Sequence, residues 1–432
     1  MIFTRHQEGD IFDIIVVGAS FAGLSFASGA AARGLHVLVL EKDAQIGNLV
    51  RTTGILFSDV LDVTDVPTRY LTNSVRHLSL LAPKQSVPFE ISSEAYRYYM
   101  VDVTGMLRWM AEEAQERGAI IRPGATFQDA YCDEDGLMHI TFSSFPENET
   151  AGSIPAIHET VRARFLIGAD GPRSRVAQRM DLDQNTHLLA AAEWLVDGVS
   201  VDQEKFFMIM NHDLAPGYCI WLAPHGETAA LGVAGYQHKF NPTTSLRIGQ
   251  KLFGETMDLS HMRVILRKGG VIPIGGRLKR VYRNDAKGRA LLLGDAAGLC
   301  GAATGGGIYP ALISGRLAAQ AVANEILNHV PGAIDTYLHD LLHAGRLGQL
   351  FRIEDWLRWA LDRIGSNTDQ ATFFGLFGTP KGHQVLQRAL LETPIISMDG
   401  SYLNMLRTLL SQDPQIAGSL LRMAWQRLTT RS

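Results

Sequence analysis

A chain of 432 residues, 46% of them hydrophobic, can bury a large core in more than one lobe, which argues against a disordered protein. Its 40 basic and 44 acidic residues give a formal charge of −4 with no long basic block, so nucleic acid is not an expected partner. The three cysteines, Cys132, Cys219 and Cys300, are too few and too scattered for a disulfide framework or a zinc site, which fits a reducing, cytoplasmic setting.

The first stretch, MIFTRHQEGDIFDIIVVGAS, carries acids before and inside its short apolar run and does not read as a secretion signal. From Asp13, DIIVVGASFAGLSFASGAAARGLHVLVLEKD reads as strand, turn, helix and second parallel strand, with Arg33-Gly34 ending the helix. Gly18 permits the sharp turn, small Ser20 lets a pyrophosphate approach the backbone, and Gly23 lets helix and strand pack closely. Glu41, at the end of the second strand, is placed for ribose hydroxyls, and its charge disfavours a 2′-phosphate. These features favour FAD or NAD over NADP.

Alternating apolar and polar residues from about Val75 to Tyr99 and from His187 to Ile274 predict a mostly antiparallel sheet forming a substrate lobe. Between them, RFLIGADGPRSRVAQ ends a strand at the turn Asp170-Gly171-Pro172, with a helix beyond. Further on, RALLLGDAAG places Asp295 at the end of a strand that feeds a glycine-rich loop, where open α/β sheets bind ligands. The nearly uncharged run from Gly294 to Gly315 is long enough to span a membrane, but Gly305, Gly306 and Gly307 favour strand, bare loop and helix instead. From about Asn324 the chain reads as helical, ending in DPQIAGSLLRMAWQRLTTRS, whose apolar stripe and arginines fit either a helix packed on the body or peripheral membrane contact. FFGLFG reads as a lid or as core.

VVGASFAG with LEKD, IGADGPRSRVA, VIPIGGR (Val271 to Arg277) and LLLGDAAGLCGAATGGGIYPALISGRLAA, in that order, resemble the FAD-dependent geranylgeranyl reductase family. That family sits among the flavoproteins that include para-hydroxybenzoate hydroxylase and the flavin halogenases. The likeness runs from about residue 12 to about residue 325. It implies an α/β fold: a Rossmann-type FAD-binding domain, an interleaved, mostly antiparallel substrate domain, and a helical carboxyl-terminal region. The expected FAD-binding segments are 1–74, 100–186 and 276–325, the substrate segments 75–99 and 187–275, and the helical region 326–432.

By this resemblance Ala22 and Glu41 hold the ADP end of FAD, Asp295 the ribityl chain, and the Gly307-Ile308 backbone the flavin ring. Gly18, Ser20, Gly23, Lys42, Arg51, Thr52, Thr53, Phe127, Asp170, Gly305 and Gly306 complete the expected cofactor set, with Asp170 as an architectural acid. No metal-ligand pattern stands beside them. No second nucleotide fingerprint follows, so electrons are expected from an external donor such as NAD(P)H or a redox protein. The implied reaction is reduction of a carbon–carbon double bond in a large apolar, isoprenoid-type substrate.

The chain departs from the family pattern at several positions. In APGYCIWLAPHGETAALGVAG, Pro216, Trp221 and Pro224 match a family motif, but Cys219 stands at its tyrosine with Tyr218 beside it, and Ala223 replaces its phenylalanine. Tyr218, Cys219 and Trp221 are the candidates for substrate contact or proton donation, and a buried inert thiol is the competing reading for Cys219 and for Cys300. Thr52 stands where archaeal reductases carry a cysteine, Val103 where an arginine is usual, and Ala302 where proline is usual. Arg51 is the candidate substitute for that arginine. Rival readings are a flavin monooxygenase or halogenase, and a non-redox flavoprotein or cyclase; against the first, GDAAG lacks the histidine that commonly follows GDAA in hydroxylases.

Overall fold

The computed structural model describes residues 11–62, 64–94, 96–144, 157–342 and 345–391. It starts with β1 (Ile11–Val17), α1 (Phe21–Ala31) and β2 (Val37–Glu41). Then come β3 (Ile55–Phe57), β4 (Leu71–Val75), β5 (His77–Leu81), β6 (Phe89–Ser92), β7 (Tyr98–Val101) and α2 (Val103–Glu116). β8 (Ile120–Pro123), β9 (Ala125–Cys132), β10 (Met138–Ser144), β11 (Ile157–Gly168) and α3 (Arg175–Arg179) follow. The next run is β12 (Leu188–Asp197), β13 (Lys205–Ile209), β14 (Ile220–His225), β15 (Thr228–Tyr236), α4 (Pro242–Gly254) and β16 (Arg263–Pro273). After β17 (Tyr282–Asp285) and β18 (Gly288–Leu292) the chain is helical: α5 (Ile308–Ile326), α6 (Ala333–Leu342), α7 (Gly345–Leu361), α8 (Asn367–Gly375) and α9 (Pro380–Leu391).

The first sheet has the order β17-β18-β11-β1-β2-β8, parallel from β18 to β8, with the β9–β10 ribbon antiparallel on β11. Its central strands are buried on both faces, which is why β1 and β2 read as continuous apolar runs rather than alternating ones. Small residues on both helices let α1 lie close to α5: a Cβ on Gly315 of α5 would sit 2.5 Å from the Ala22 carbonyl oxygen, and one on Gly29 of α1 3.0 Å from Ala319 Cβ.

The second sheet has the order β16-β12-β15-β14-β13-β5-β6 and is antiparallel except where β13 meets β5. Its strands alternate between two faces. Trp194, Val196, Ile220, Leu222 and Leu231 pack with Leu246 and Phe253 of α4 on the outer face. Leu189, Cys219, Trp221, Ala223 and Ala230 occupy the inner face, together with Met100 of β7 and with Ala360, Ile364, Phe373, Phe374 and Leu386 from the helical region. The first two phenylalanines of FFGLFG are therefore core, packed on the inner face of this sheet. A small sheet, β3-β7-β4, packs against α5 and β14.

No helix among the described residues is long and apolar enough to cross a membrane. Gly294 to Gly315 forms a short turn, a loop and the first part of α5. The segment DPQIAGSLLRMAWQRLTTRS, on which the membrane-contact reading rests, lies outside the described residues.

Candidate functional site

The three sequence motifs meet at the carboxyl ends of β1, β11 and β18. Gly18 has φ +103°, and a Cβ there would lie 2.3 Å from the Ala169 carbonyl oxygen, so only glycine lets the first turn lie against the second motif. A Cβ on Gly23 would sit 1.9 Å from the Gly18 carbonyl oxygen, and one on Gly294 3.0 Å from Ala22 Cβ. At the start of α1 the N–H groups of Phe21, Ala22 and Gly23 have no acceptor among the described residues, and the exposed Ser20 side chain makes no capping bond. Those free donors at the positive end of the helix fit a pyrophosphate. Glu41 is fixed beside them, accepting the Ala19 N–H at 2.7 Å and the Asp43 N–H at 2.9 Å. Lys42 points into solvent beyond it.

Asp295 follows β18 in a tight turn ended by Gly298 in the left-handed conformation. Asn185 fixes this turn by donating to the Asp295 carbonyl oxygen at 2.8 Å. Burial pushes the Asp295 carboxyl up to about 6, leaving a group suited to hydroxyl partners. Its Oδ1 lies 2.9 Å from where a Cβ on Gly307 would stand. The N–H groups of Gly307 and Ile308 have no acceptor among the described residues, while Gly305 and Gly306 donate within the loop, to the Gly301 carbonyl oxygen and to Thr304 Oγ1. Carboxylate and free donors thus converge as a flavin and its ribityl chain require.

Asp170 serves the protein instead. It accepts Ser174 Oγ at 2.6 Å, Arg175 N–H at 2.7 Å and Val176 N–H at 3.1 Å, which caps α3; burial raises its pKa, and these bonds oppose the rise. Phe127 lies on β9 with its ring in the core of the first sheet.

On the substrate side, the Tyr218 hydroxyl donates to the Thr304 carbonyl oxygen of the glycine-rich loop, and its ring stands edge-on to Trp221 with centroids 6.3 Å apart. Trp221 reaches Glu193 Oε2 at 3.3 Å. Cys219 is buried on the inner face, and burial pushes its thiol up to about 12, far from the range of an effective donor at neutral pH. Burial also holds the Cys300 thiol well above its ordinary value, with Asp295 and Glu354 adding to the rise. Thr53 donates to Glu193, and the Thr52 carbonyl oxygen accepts from Lys268 at 3.2 Å. Arg51 is exposed and lies alongside Gly270 of β16. Val103 packs under Gly54, whose Cβ would meet it at 2.7 Å.

Sequence reasoning missed two groups. The first is a cluster on α7. Glu354, almost wholly buried, accepts the Ala303 and Thr304 N–H groups at 2.8 and 3.0 Å and the Thr304 hydroxyl at 2.8 Å. Asp355 pairs with Arg277 of VIPIGGR at 3.2 Å, and Arg358 donates to the Gly217 carbonyl oxygen at 2.9 Å. One turn of helix thereby pins three segments of the site. The available signal was the placement of Glu354 and Arg358 on the otherwise apolar stripe of α7. The second group, Glu193 and Lys268, carries no motif at all.

The FAD binding domain family matches residues 12–346. A digeranylgeranylglycerophospholipid reductase of Methanococcoides burtonii is 27% identical over 335 residues, covering 73% of this chain and 76% of that protein. A geranylgeranyl bacteriochlorophyll reductase-like structure from Thermoplasma acidophilum, 22% identical, superposes with a TM-score of 0.75 over 93% of this chain and 99% of that one. A flavin-dependent brominase, 14% identical, gives 0.64 over 91% and 99%.

Proposed function

Since the chain belongs to the FAD binding domain family, we propose that it is an FAD-dependent oxidoreductase that reduces carbon–carbon double bonds of a large apolar, isoprenoid-type substrate. The observation that carries the cofactor half is the convergence of free main-chain donors at Phe21 to Gly23 and at Gly307-Ile308 with the carboxylates of Glu41 and Asp295. The reductase half is supported by the relatives' names and by the apolar inner face of the second sheet. When bound, FAD supplies two-electron transfer.

The protein's own residues would act as follows. The α1 terminus binds the pyrophosphate, Glu41 holds the ribose, Asp295 the ribityl chain, and Gly307-Ile308 the flavin ring. Glu354 holds the glycine-rich loop so that its unpaired N–H groups face the cofactor. The inner-face residues Trp221, Ala223 and Ala230, closed over by Phe373 and Phe374, keep water from the reacting bond. Ala223, where the family motif has a phenylalanine, is fully buried on this face. Electrons come from an external donor, NAD(P)H or a redox protein.

The test is to reduce the flavin without oxygen, add a polyprenyl substrate, and follow flavin reoxidation together with product mass. Reoxidation with a product heavier by a pair of hydrogens is expected. Reoxidation only after oxygen is admitted, with gain of an oxygen atom, would replace this reading by a hydroxylase.

A further inference from the structure

The inner face of the second sheet is built mainly from apolar side chains, among them Leu78, Leu80, Leu189, Cys219, Trp221 and Ala223, and a buried ion pair interrupts it. Glu193 of β12 and Lys268 of β16 are register partners and form an ion pair of 2.7 Å, their side chains only 7% and 15% exposed. On the neighbouring strand the position level with Glu193 is Gly232, and level with that, on β14, is Trp221. A Cβ on Gly232 would lie 2.1 Å from the Trp221 ring, so the indole lies across a bare backbone to donate to Glu193. Thr53 donates to the same carboxylate oxygen.

Such a pair is expensive on an apolar face. Removing two charges from water costs several kcal/mol each, and well-packed apolar residues of similar volume commonly serve stability as well or better. The arrangement also leaves both members with hydrogen-bonding capacity to spare. Glu193 Oε2 accepts from Thr53 and Trp221, whereas Oε1 stands at ion-pair distance from Lys268 with no hydrogen-bond donor among the described residues. The Lys268 ammonium has three N–H donors and one hydrogen-bond acceptor, the Thr52 carbonyl oxygen, among the described residues.

We propose that Lys268, held in place by Glu193, is a recognition group for a neutral oxygen of the substrate, a hydroxyl or carbonyl, so that this chain takes an oxygen-bearing isoprenoid rather than a bare hydrocarbon. The inference rests on the proposed assignment of the inner face to an isoprenoid substrate. A spare ammonium N–H binds an oxygen acceptor. Glu193 cancels the charge of the site, so a phosphate gains no net Coulomb attraction and meets a carboxylate beside the lysine. Trp221 and Thr53 hold that carboxylate in position.

The test uses oxidised, FAD-loaded protein and a matched series of short isoprenoids: hydrocarbon, alcohol, aldehyde and monophosphate. Dissociation constants are read from the change in flavin absorbance, without turnover. Alcohol and aldehyde are expected to bind about tenfold tighter than the hydrocarbon, in line with one hydrogen bond to a charged donor, and the monophosphate no tighter than the alcohol. The double variant E193Q/K268M removes the pair without stranding a buried charge, and an unchanged flavin spectrum reports that it folds. In it the preference should shrink to within about twofold while hydrocarbon affinity holds. Equal binding of alcohol and hydrocarbon by the parent protein, a preference that survives in the double variant, or tightest binding of the monophosphate would each overturn the proposal. If no member of the series binds, the isoprenoid reading of this face falls and takes the proposal with it.

Discussion

The cofactor end of the first sheet and the inner face of the second solve opposite problems. The first presents backbone: free N–H groups at Phe21 to Gly23 and Gly307-Ile308, with glycines where any side chain would collide. The second presents side chains, and its buried ion pair is assembled with Thr53, Glu193, Trp221 and Lys268, far apart in sequence. A backbone site is intolerant because main chain cannot move aside. A side-chain site can rearrange, but it cannot lose one charge alone.

The same substitution in each region exposes the contrast most strongly. Gly23→Ala puts a Cβ 1.9 Å from the Gly18 carbonyl oxygen, a main-chain atom fixed by the parallel sheet. The protein should purify without FAD, as read from the ratio of flavin to protein absorbance. Gly232→Ala puts a Cβ 2.1 Å from the Trp221 ring, which can rotate away. That variant should keep its FAD, and its tryptophan emission should change as the indole leaves Glu193. Full FAD retention by Gly23→Ala, or FAD loss by Gly232→Ala alone, breaks the comparison.

The next effect in size concerns the ion pair. Lys268→Met leaves Glu193 buried and uncompensated and should cost about 3 kcal/mol of unfolding free energy, measured in urea at saturating FAD. Adding Glu193→Gln should recover most of that loss. If the double variant is as unstable as the single one, the pair is holding the Thr52-Thr53 segment in place through contacts that neither charge explains.

This contrast also accounts for what the sequence disclosed. The strand, turn and helix around Gly18, Ser20 and Gly23 are local, and each residue's reason lies within a few positions of it. This stretch therefore discloses a dinucleotide fold that suits FAD or NAD, while the choice of FAD rests on the family resemblance. Asp295 was legible for the same reason. Glu354 was not, because its partners at Ala303 and Thr304 lie some fifty positions upstream, and helical periodicity records only that a face is buried. Lys268 and Glu193 were illegible because strand alternation places them on a face but does not say what stands opposite. Family likeness could flag Thr52 as a departure. It could not show that the Thr52 carbonyl oxygen receives a lysine.

Asp295 tests whether the backbone site is optimised for ligand rather than for stability. Its pKa rises from 3.8 to about 6 in the folded protein because burial penalises the charged form. For an acid shifted upward, the stabilising contribution is complete below its ordinary value and is lost as pH rises through the raised one. Apo-protein should therefore lose stability between about pH 4 and pH 6, and Asp295→Asn should flatten that slope and stabilise apo-protein at pH 7 by at most about 3 kcal/mol. The same change should weaken FAD binding about tenfold, since the ribityl hydroxyls lose a charged acceptor. Thermal unfolding of apo-protein across pH, beside FAD titration, checks both signs.

The smallest effect should come from Cys219, the thiol nearest the family motif. Removing a working general acid costs roughly 100- to 10,000-fold in rate. Burial holds this thiol at about 12, so near neutral pH it is a far weaker acid than the reaction needs, and its place among Trp221, Ala223 and Ala230 gives it a packing role. Cys219→Ala should slow anaerobic flavin reoxidation by less than about tenfold and leave its pH profile unchanged. A loss above about 100-fold with an altered alkaline limb would show that substrate binding reorganises the inner face enough to activate the thiol as a proton donor.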